Sequence, residues 1–330
     1  MNAFGTLFRI SMLGESHGPC VGIVIDGCPA GLALTVGDFL ADLDRRKGGR
    51  PGTTARREDD IPSLKSGLFK GVTTGAPLLI LFENKDVDST AYSHVTTNPR
   101  PGQADLTAQQ KFGGFHDYRG GGIFSGRLTA GLVAAGVVAK KLILPATCEA
   151  TLVEAGGSTD IDGAVKAAAR EGDSVGGIVE CRADGIPPGL GEPFFDSVES
   201  LLGHLVFAIP GIKGIEFGAG FACARMRGSA CNDRIVSRTG ETMTNNAGGI
   251  NGGITNGNRL AFRIAVRPTA SISRPQFFID METALQREFS LEGRHDACFA
   301  LRVPVIVEAA TAIVLADLML LEQKIPRIRR

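Results

Sequence analysis

Two stretches of the chain are apolar on nearly every face. Residues 125–144 place Leu128, Leu132, Ala135, Val138 and Ala139 at helical spacing, with small apolar residues between them and lysines only at 140 and 141. Residues 303–322 repeat the pattern near the C-terminus. A helix without a polar face is predicted to be buried. Strand-like runs fall at 21–26, 78–82, 177–183, 214–221 and 259–267, and a helix is predicted over 196–207. Thr35, with Asp38 three residues on, predicts the start of another helix before the 39–43 run. Strands and helices do not alternate regularly, which predicts an α+β fold and not a doubly wound parallel sheet. From 90 to 123 the periodicity lapses among Gly, Pro, Asp and Asn, and a loop region of that length in a compact protein usually carries function. No charged or Ser/Pro-rich linker divides the chain, so residues 1–330 are expected to form one domain.

Charge narrows the function. Lys+Arg and Asp+Glu both number 35, giving a formal net charge of zero. That balance argues against a nucleic-acid binder or a polybasic membrane-surface protein. With no Trp and two Tyr, a base-stacking platform is also disfavoured. The uninterrupted apolar runs, such as 76–82, are far shorter than the ~18 residues of a membrane span. The N-terminus lacks a charged and apolar leader. A soluble, cytoplasmic protein is expected. Seven cysteines without a C-x-x-C pair match neither a disulfide framework nor a zinc spacing, and no metal is expected.

Glycine is the compositional outlier, with 44 in 330 residues, nearly twice the usual ~7%. It gathers where chemistry is also concentrated. Gly14-Glu15-Ser16-His17-Gly18 sets an imidazole in a loop before a strand, where it can serve as an acid or bind an anion. The 45–57 segment carries five arginines and a lysine, groups that pair with carboxylates and phosphates, followed by the balancing Glu58-Asp59-Asp60. Arg119-Gly120-Gly121-Gly122 leads through Ser125 and Arg127 into the first apolar helix, an arrangement suited to phosphate. The run 245–257 is dense in Asn and Gly, which fits either close backbone approach to a ligand or turn chemistry alone. Gly293-Arg294-His295-Asp296 precedes the last helix, where Asp296 is either functional or ion-paired. Together these loops predict an enzyme that binds polyanionic small molecules.

Taken in order, the segments resemble the chorismate synthase family. The likeness runs from about Phe4 to Glu322. It includes Phe8-Arg9, the 14–18 motif, Thr53-Thr54-Ala55-Arg56-Arg57-Glu58, Asp117-Tyr118-Arg119-Gly120-Gly121-Gly122, Gly189-Leu190-Gly191-Glu192-Pro193 and the 293–298 motif. The resemblance implies a β–α–β sandwich, with buried helices between antiparallel sheets, assembled as a homotetramer. It implies anti-1,4-elimination of phosphate from 5-enolpyruvylshikimate 3-phosphate to give chorismate, with reduced FMN as cofactor. Position by position, it implies catalytic roles for His17 and Asp296, with Gln103 standing at a third catalytic position. FMN contacts are implied at Ser125, Gly252, Arg267, Pro268, Thr269, Ala270, Ser271 and Arg294. Anion contacts are implied at Arg46 and Arg127, with Arg9 and Arg45 as neighbours. Nothing resembles a dinucleotide fingerprint, so external reduction of the flavin is expected.

The departures from the family pattern cluster at the site. Gln103 stands where a histidine is usual, and it hydrogen-bonds but cannot titrate. Ile123 and Phe124 replace a cation and a hydroxyl, and His116 stands in place of an arginine. These changes leave a second reading open: an impaired relative that keeps the fold as an FMN- or anion-binding or assembly subunit.

Overall fold

Leu260–Val266 buries every second side chain: Leu260, Phe262, Ile264 and Val266. Leu78–Glu83 does the same with Leu78, Ile80 and Phe82. Such alternation makes sheets with one apolar face, and the computed structural model, which describes residues 2–93, 95–290 and 295–329, contains two of them. The first runs in the order Ala3–Phe4, Arg9–Gly14, Cys20–Asp26, Leu78–Glu83, Ser63–Ser66, antiparallel throughout. The second runs Ile212–Phe217, Leu260–Val266, Gly177–Asp184, Thr147–Ala155, again antiparallel.

The two apolar helices lie between the sheets. Thr129–Leu142 packs on the first sheet and Pro304–Leu321 on the second, and the two pack on each other. Pro304–Leu321 is long and apolar enough to cross a membrane, yet 83% of it is buried inside the protein. The helix pair is close because small residues meet there. A Cβ on Gly136 would collide with the Ala309 backbone; on the sheet side of the same helix, one on Gly131 would collide with the Gly22 carbonyl of strand Cys20–Asp26. Buried acids on the last helix are all supplied with donors, as buried charge requires. Asp317 accepts the N–H groups of Thr6, Leu7 and Phe8 at 2.7–2.8 Å, which ties the N-terminal hairpin to the core. Glu308 accepts from Arg45 at 2.6 Å, from Lys140 at 2.7 Å and from the Ala150 N–H at 3.0 Å.

The α+β sandwich is as expected, with differences at the edges of elements. The first core helix starts at Thr129, because Ser125 caps a single 3₁₀ turn, Gly126–Leu128, ahead of it. The early helix is Gly37–Arg46, and its start is organised by the Asp38 carboxylate, which accepts from the Thr35 N–H and hydroxyl. The 214–221 strand shifts to Ile212–Phe217, since Gly218 and Gly220 turn the chain with positive φ. Thr147–Ala155 and Arg9–Gly14 are strands that the apolar runs do not reveal, and the 90–123 loop region holds a helix at Asp105–Phe112.

Gly136→Ala is expected to destabilise the protein by roughly 1–3 kcal/mol through overpacking. Gly203→Ala, in a helix where a Cβ meets nothing within 4 Å, is expected to stabilise it by about 0.5–1 kcal/mol. Denaturant midpoints of the two variants check the pair.

Candidate active site

Both core helices begin at one cleft of about 400 Å³, within the ~300–1,000 Å³ usual for small-molecule sites. Arg127 and Arg302, just ahead of the two helices, line it. Helix N-termini present unpaired N–H groups and a dipole that favours anions. The sequence therefore delivers the positive ends of its two most buried helices to the same opening.

The charge at the cleft floor turns on Asp60. Its carboxylate is buried and pairs with both Arg46, from the end of helix Gly37–Arg46, and Arg127. Burial raises the Asp60 pKa, but the two guanidinium groups outweigh it and hold the carboxyl below its ordinary value. Arg127 is fixed further by Nε donating to Asn84 Oδ1 at 2.9 Å. One carboxylate facing two arginines leaves a surplus positive charge. Arg46 Nε, buried and without a partner, marks the deficit. Arg56 pairs with Glu58 at 2.7 Å and donates to the Ser16 hydroxyl at 3.1 Å, while Arg100 holds Asp105 through two 2.8 Å bonds.

His17 stands on the adjoining wall, half-buried, with Nδ1 2.8 Å from Ser89 Oγ and its ring edge-on to Tyr92. Burial lowers its pKa first, and Arg56 and Arg119 add to this against the opposing Asp117 and Asp88. The glycine-rich loop fits under the ring only because Gly120 has no Cβ. Its φ is +58°, and an added Cβ would collide with the imidazole. Ser125 Oγ donates to Ser16 Oγ at 3.1 Å, joining this wall to the helix start.

The opposite wall is the 267–271 stretch. Arg267 Nη1 donates to the Gly102 carbonyl at 2.6 Å, and Gln103 Nε2 donates to Ser271 Oγ at 3.0 Å. Asp296 is held by the Arg302 guanidinium at 2.7 and 3.0 Å and by the Thr54 N–H at 2.9 Å. Besides Arg46 Nε, three buried polar atoms of cleft-lining residues have no partner among the described residues: His116 Nδ1, Thr269 Oγ1 and His295 Nε2. Unpartnered buried atoms are rare in native proteins, and here they call for a ligand with several polar edges. Burial, then Arg100, lowers the His295 pKa despite Asp296.

The family model for chorismate synthase matches residues 8–320. The chain is 58% identical over 99% of both chains to a chorismate synthase from Chitinophaga pinensis. It is 46% identical, again over 99% of both, to one from Dehalococcoides mccartyi strain BAV1. A crystal structure of chorismate synthase superposes with a TM-score of 0.75 at 25% identity, covering 96% of this chain and 93% of that one. The chain belongs to the chorismate synthase family.

Of the residues that a chorismate synthase site implies, the structure gathers His17, Gln103, Asp296, Arg46, Arg127, Ser125 and the whole 267–271 stretch around one cleft. Three others lie elsewhere in the chain. Arg9 is exposed and meets Asp26 at 3.3 Å across the first sheet. Arg45, next to Arg46 but on another side of its helix, is committed to Glu308 and Asp42. Gly252 forms the turn between Ile250–Asn251 and Ile254–Thr255, with its neighbour Gly253 packed on Ser197. Turn geometry, with positive φ at Gly248, Gly249, Gly252, Gly253 and Gly257, accounts for that glycine run within the chain. Arg294 lies outside the described residues. In sequence Asp60 reads as a counterweight to the basic loop, His295 only as the imidazole of the 293–296 motif, and Arg302 carries no signal. Asp60 closes a run of three acids directly after the arginines, a signal for a shared partner.

Asp60→Asn is expected to cost about 3–5 kcal/mol of stability by leaving two buried arginines unpaired. Because the folded Asp60 pKa is depressed, its stabilisation is complete above the unfolded value near 4 and is lost as pH falls through the folded value. Urea denaturation of wild type should therefore weaken across that acidic window, and the Asp60→Asn variant should show a flatter slope there.

Proposed function

We propose that this chain, a member of a carbon–oxygen lyase family, eliminates phosphate in the anti-1,4 sense from 5-enolpyruvylshikimate 3-phosphate to give chorismate, with reduced FMN as cofactor. The observation that carries the reading is the surplus positive charge around Asp60 beside His17, at the start of two helices. A substrate with two carboxylates and a phosphate supplies the missing negative charge. The unpartnered atoms of His116, Thr269 and His295 match the polar edge of a flavin, and Ser125 with the 267–271 stretch would hold it. Bound there, reduced FMN supplies the transient electron density that the elimination draws on.

The chain's own groups do the rest. Arg46 and Arg127 hold anionic groups of the substrate and stabilise charge on the departing phosphate. His17 is biased toward neutrality in the free protein by burial and by Arg56. An arriving phosphate reverses that balance, so its binding raises the His17 pKa and readies the imidazole as the acid at the leaving group. Asp296, fixed by Arg302 and Thr54, presents a carboxylate of set orientation on the far wall. Gln103 keeps the 100–105 loop against Ser271. A homotetramer working in the cytoplasm, each subunit a single domain, completes the reading. The exposed Phe194 and Phe195, at 86% and 91%, are surfaces that assembly would cover.

The test is anaerobic turnover with reduced FMN, which should yield chorismate and phosphate in equal amounts. Bound FMN without turnover would overturn the proposal in favour of an impaired binding subunit. His17→Asn is expected to lower kcat by roughly 10²–10⁴. Since anion binding raises the His17 pKa, substrate should bind more tightly as pH falls toward 6. NMR titration of the imidazole with and without substrate checks the sign.

A further inference from the structure

The Asn- and Gly-rich run that does not reach the cleft is held by a segment with chemistry of its own. Asp233 accepts the Asn246 and Ala247 N–H groups, each at 2.8 Å, and the Thr244 hydroxyl at 2.6 Å. The Asn246 side-chain amide donates to the carbonyls of Cys231 at 3.1 Å and Ala230 at 3.3 Å. The Ala219 N–H returns to the Asn246 carbonyl at 2.8 Å. Residues 218–233 thus form a clasp around Asn246.

Inside that clasp Cys231 Sγ lies 3.6 Å from Cys223 Sγ, and both residues are half-buried. No other two thiols are within hydrogen-bond distance among the described residues. Cys28, Cys148, Cys181 and Cys298 are buried and shielded; a raised thiol pKa does not distinguish them, since contact with Cys223 raises that of Cys231 as well. Cys20 is half-buried without a thiol neighbour. The Cys223–Cys231 pair is therefore set apart by contact and by access together. The pair comes from a short 3₁₀ segment, Gly220–Arg225, and a single helical turn, Gly228–Cys231. A disulfide would bring the sulfurs from 3.6 Å to ~2.05 Å.

We propose that Cys223 and Cys231 form a reversible dithiol–disulfide couple, oxidised by exchange with a low-molecular-weight disulfide of the glutathione type. One protein thiolate attacks a sulfur of oxidised glutathione, breaking its S–S bond and releasing one glutathione thiolate. The second protein thiolate then attacks the protein sulfur of the mixed disulfide and expels the other glutathione. The protein loses two electrons, the glutathione disulfide gains them, and the two thiol protons pass to the released thiolates. The second step is intramolecular, and the closeness of the sulfurs favours it over release of a stable adduct. A bridge anchors the Cys231 carbonyl on which Asn246 depends, so the oxidation state is read out in the 245–257 run and not in the cleft. The inference does not depend on the reaction proposed above.

The experiment equilibrates the full-length protein with excess oxidised glutathione, then counts free thiols after denaturation and maps peptides by mass. The expected result is two fewer titratable thiols than the original seven, loss of two hydrogens from the intact mass, and a 223–231 linked peptide that dithiothreitol reverses. Cys223→Ser and Cys231→Ser should each stop at a persistent glutathione adduct, while Cys20→Ser should still lose two thiols. Seven free thiols at equilibrium, a linkage between other cysteines, or a wild-type protein that stops at the mixed adduct would each overturn the proposal.

Discussion

Neither core helix has a face it could leave in water, and that constraint organises the molecule. Thr129–Leu142 and Pro304–Leu321 must be covered by each other and by a sheet on either side, which is what the two antiparallel sheets do. The covering is tight enough that Gly136 and Gly131 are needed for backbone to pass backbone. Once the helices are sealed along their lengths, their ends are where the chain can build a site. Their N-terminal ends meet the same opening. Burial of the helices and the position of the cleft are one consequence seen at two scales.

The same logic governs the charges. An acid inside the sandwich is tolerable only when donors surround it, and Glu308 and Asp317 are each fully engaged in holding helices and hairpin together. Glu308 also meets two cations, Arg45 and Lys140, but Asp42 pairs with both and balances them; Asp60 faces Arg46 and Arg127 without such a second acid among the described ion pairs, and Arg46 keeps an unpartnered nitrogen. A structural ion pair would be expected to balance. An imbalance next to two helix N-termini favours a negative ligand, and it sets the candidate cleft apart from the saturated network around Arg45 one residue away.

How much of this was legible depends on the range of the signal. The buried helices were readable because a missing polar face is a local property of composition. The Thr147–Ala155 strand alternates in burial as far as Leu152 and loses the period at a bulge around Val153 and Glu154; its exposed positions include Thr and Glu and its buried ones Cys and Ala, so hydropathy alone understates it. The site loops were legible as motifs, and their convergence follows the family order. Arg45 and Arg46 show the limit: adjacent in sequence, they are turned by the helix to different partners, Glu308 and Asp60. Gly252 shows another, since a glycine needed for a hairpin turn and one needed for a ligand look alike in sequence.

The departures from the family pattern can now be weighed physically. A glutamine in place of an imidazole at 103 loses titration but not placement, because its amide bonds Ser271 and keeps two cleft walls in register. Phe124 lines the cleft and leans on Phe112 at 6.4 Å, so the lost hydroxyl is replaced by an apolar surface and not by an obstruction sealing the site. Ile123 is not among the lining residues. Meanwhile His116 and His295 bring two further imidazoles to the cleft, each with a buried nitrogen unpaired. The cleft differs from the family pattern in which residues carry polarity, yet it keeps what the proposed polyanionic substrate and flavin would require: a charge deficit at one wall and unsatisfied hydrogen-bonding groups at the other.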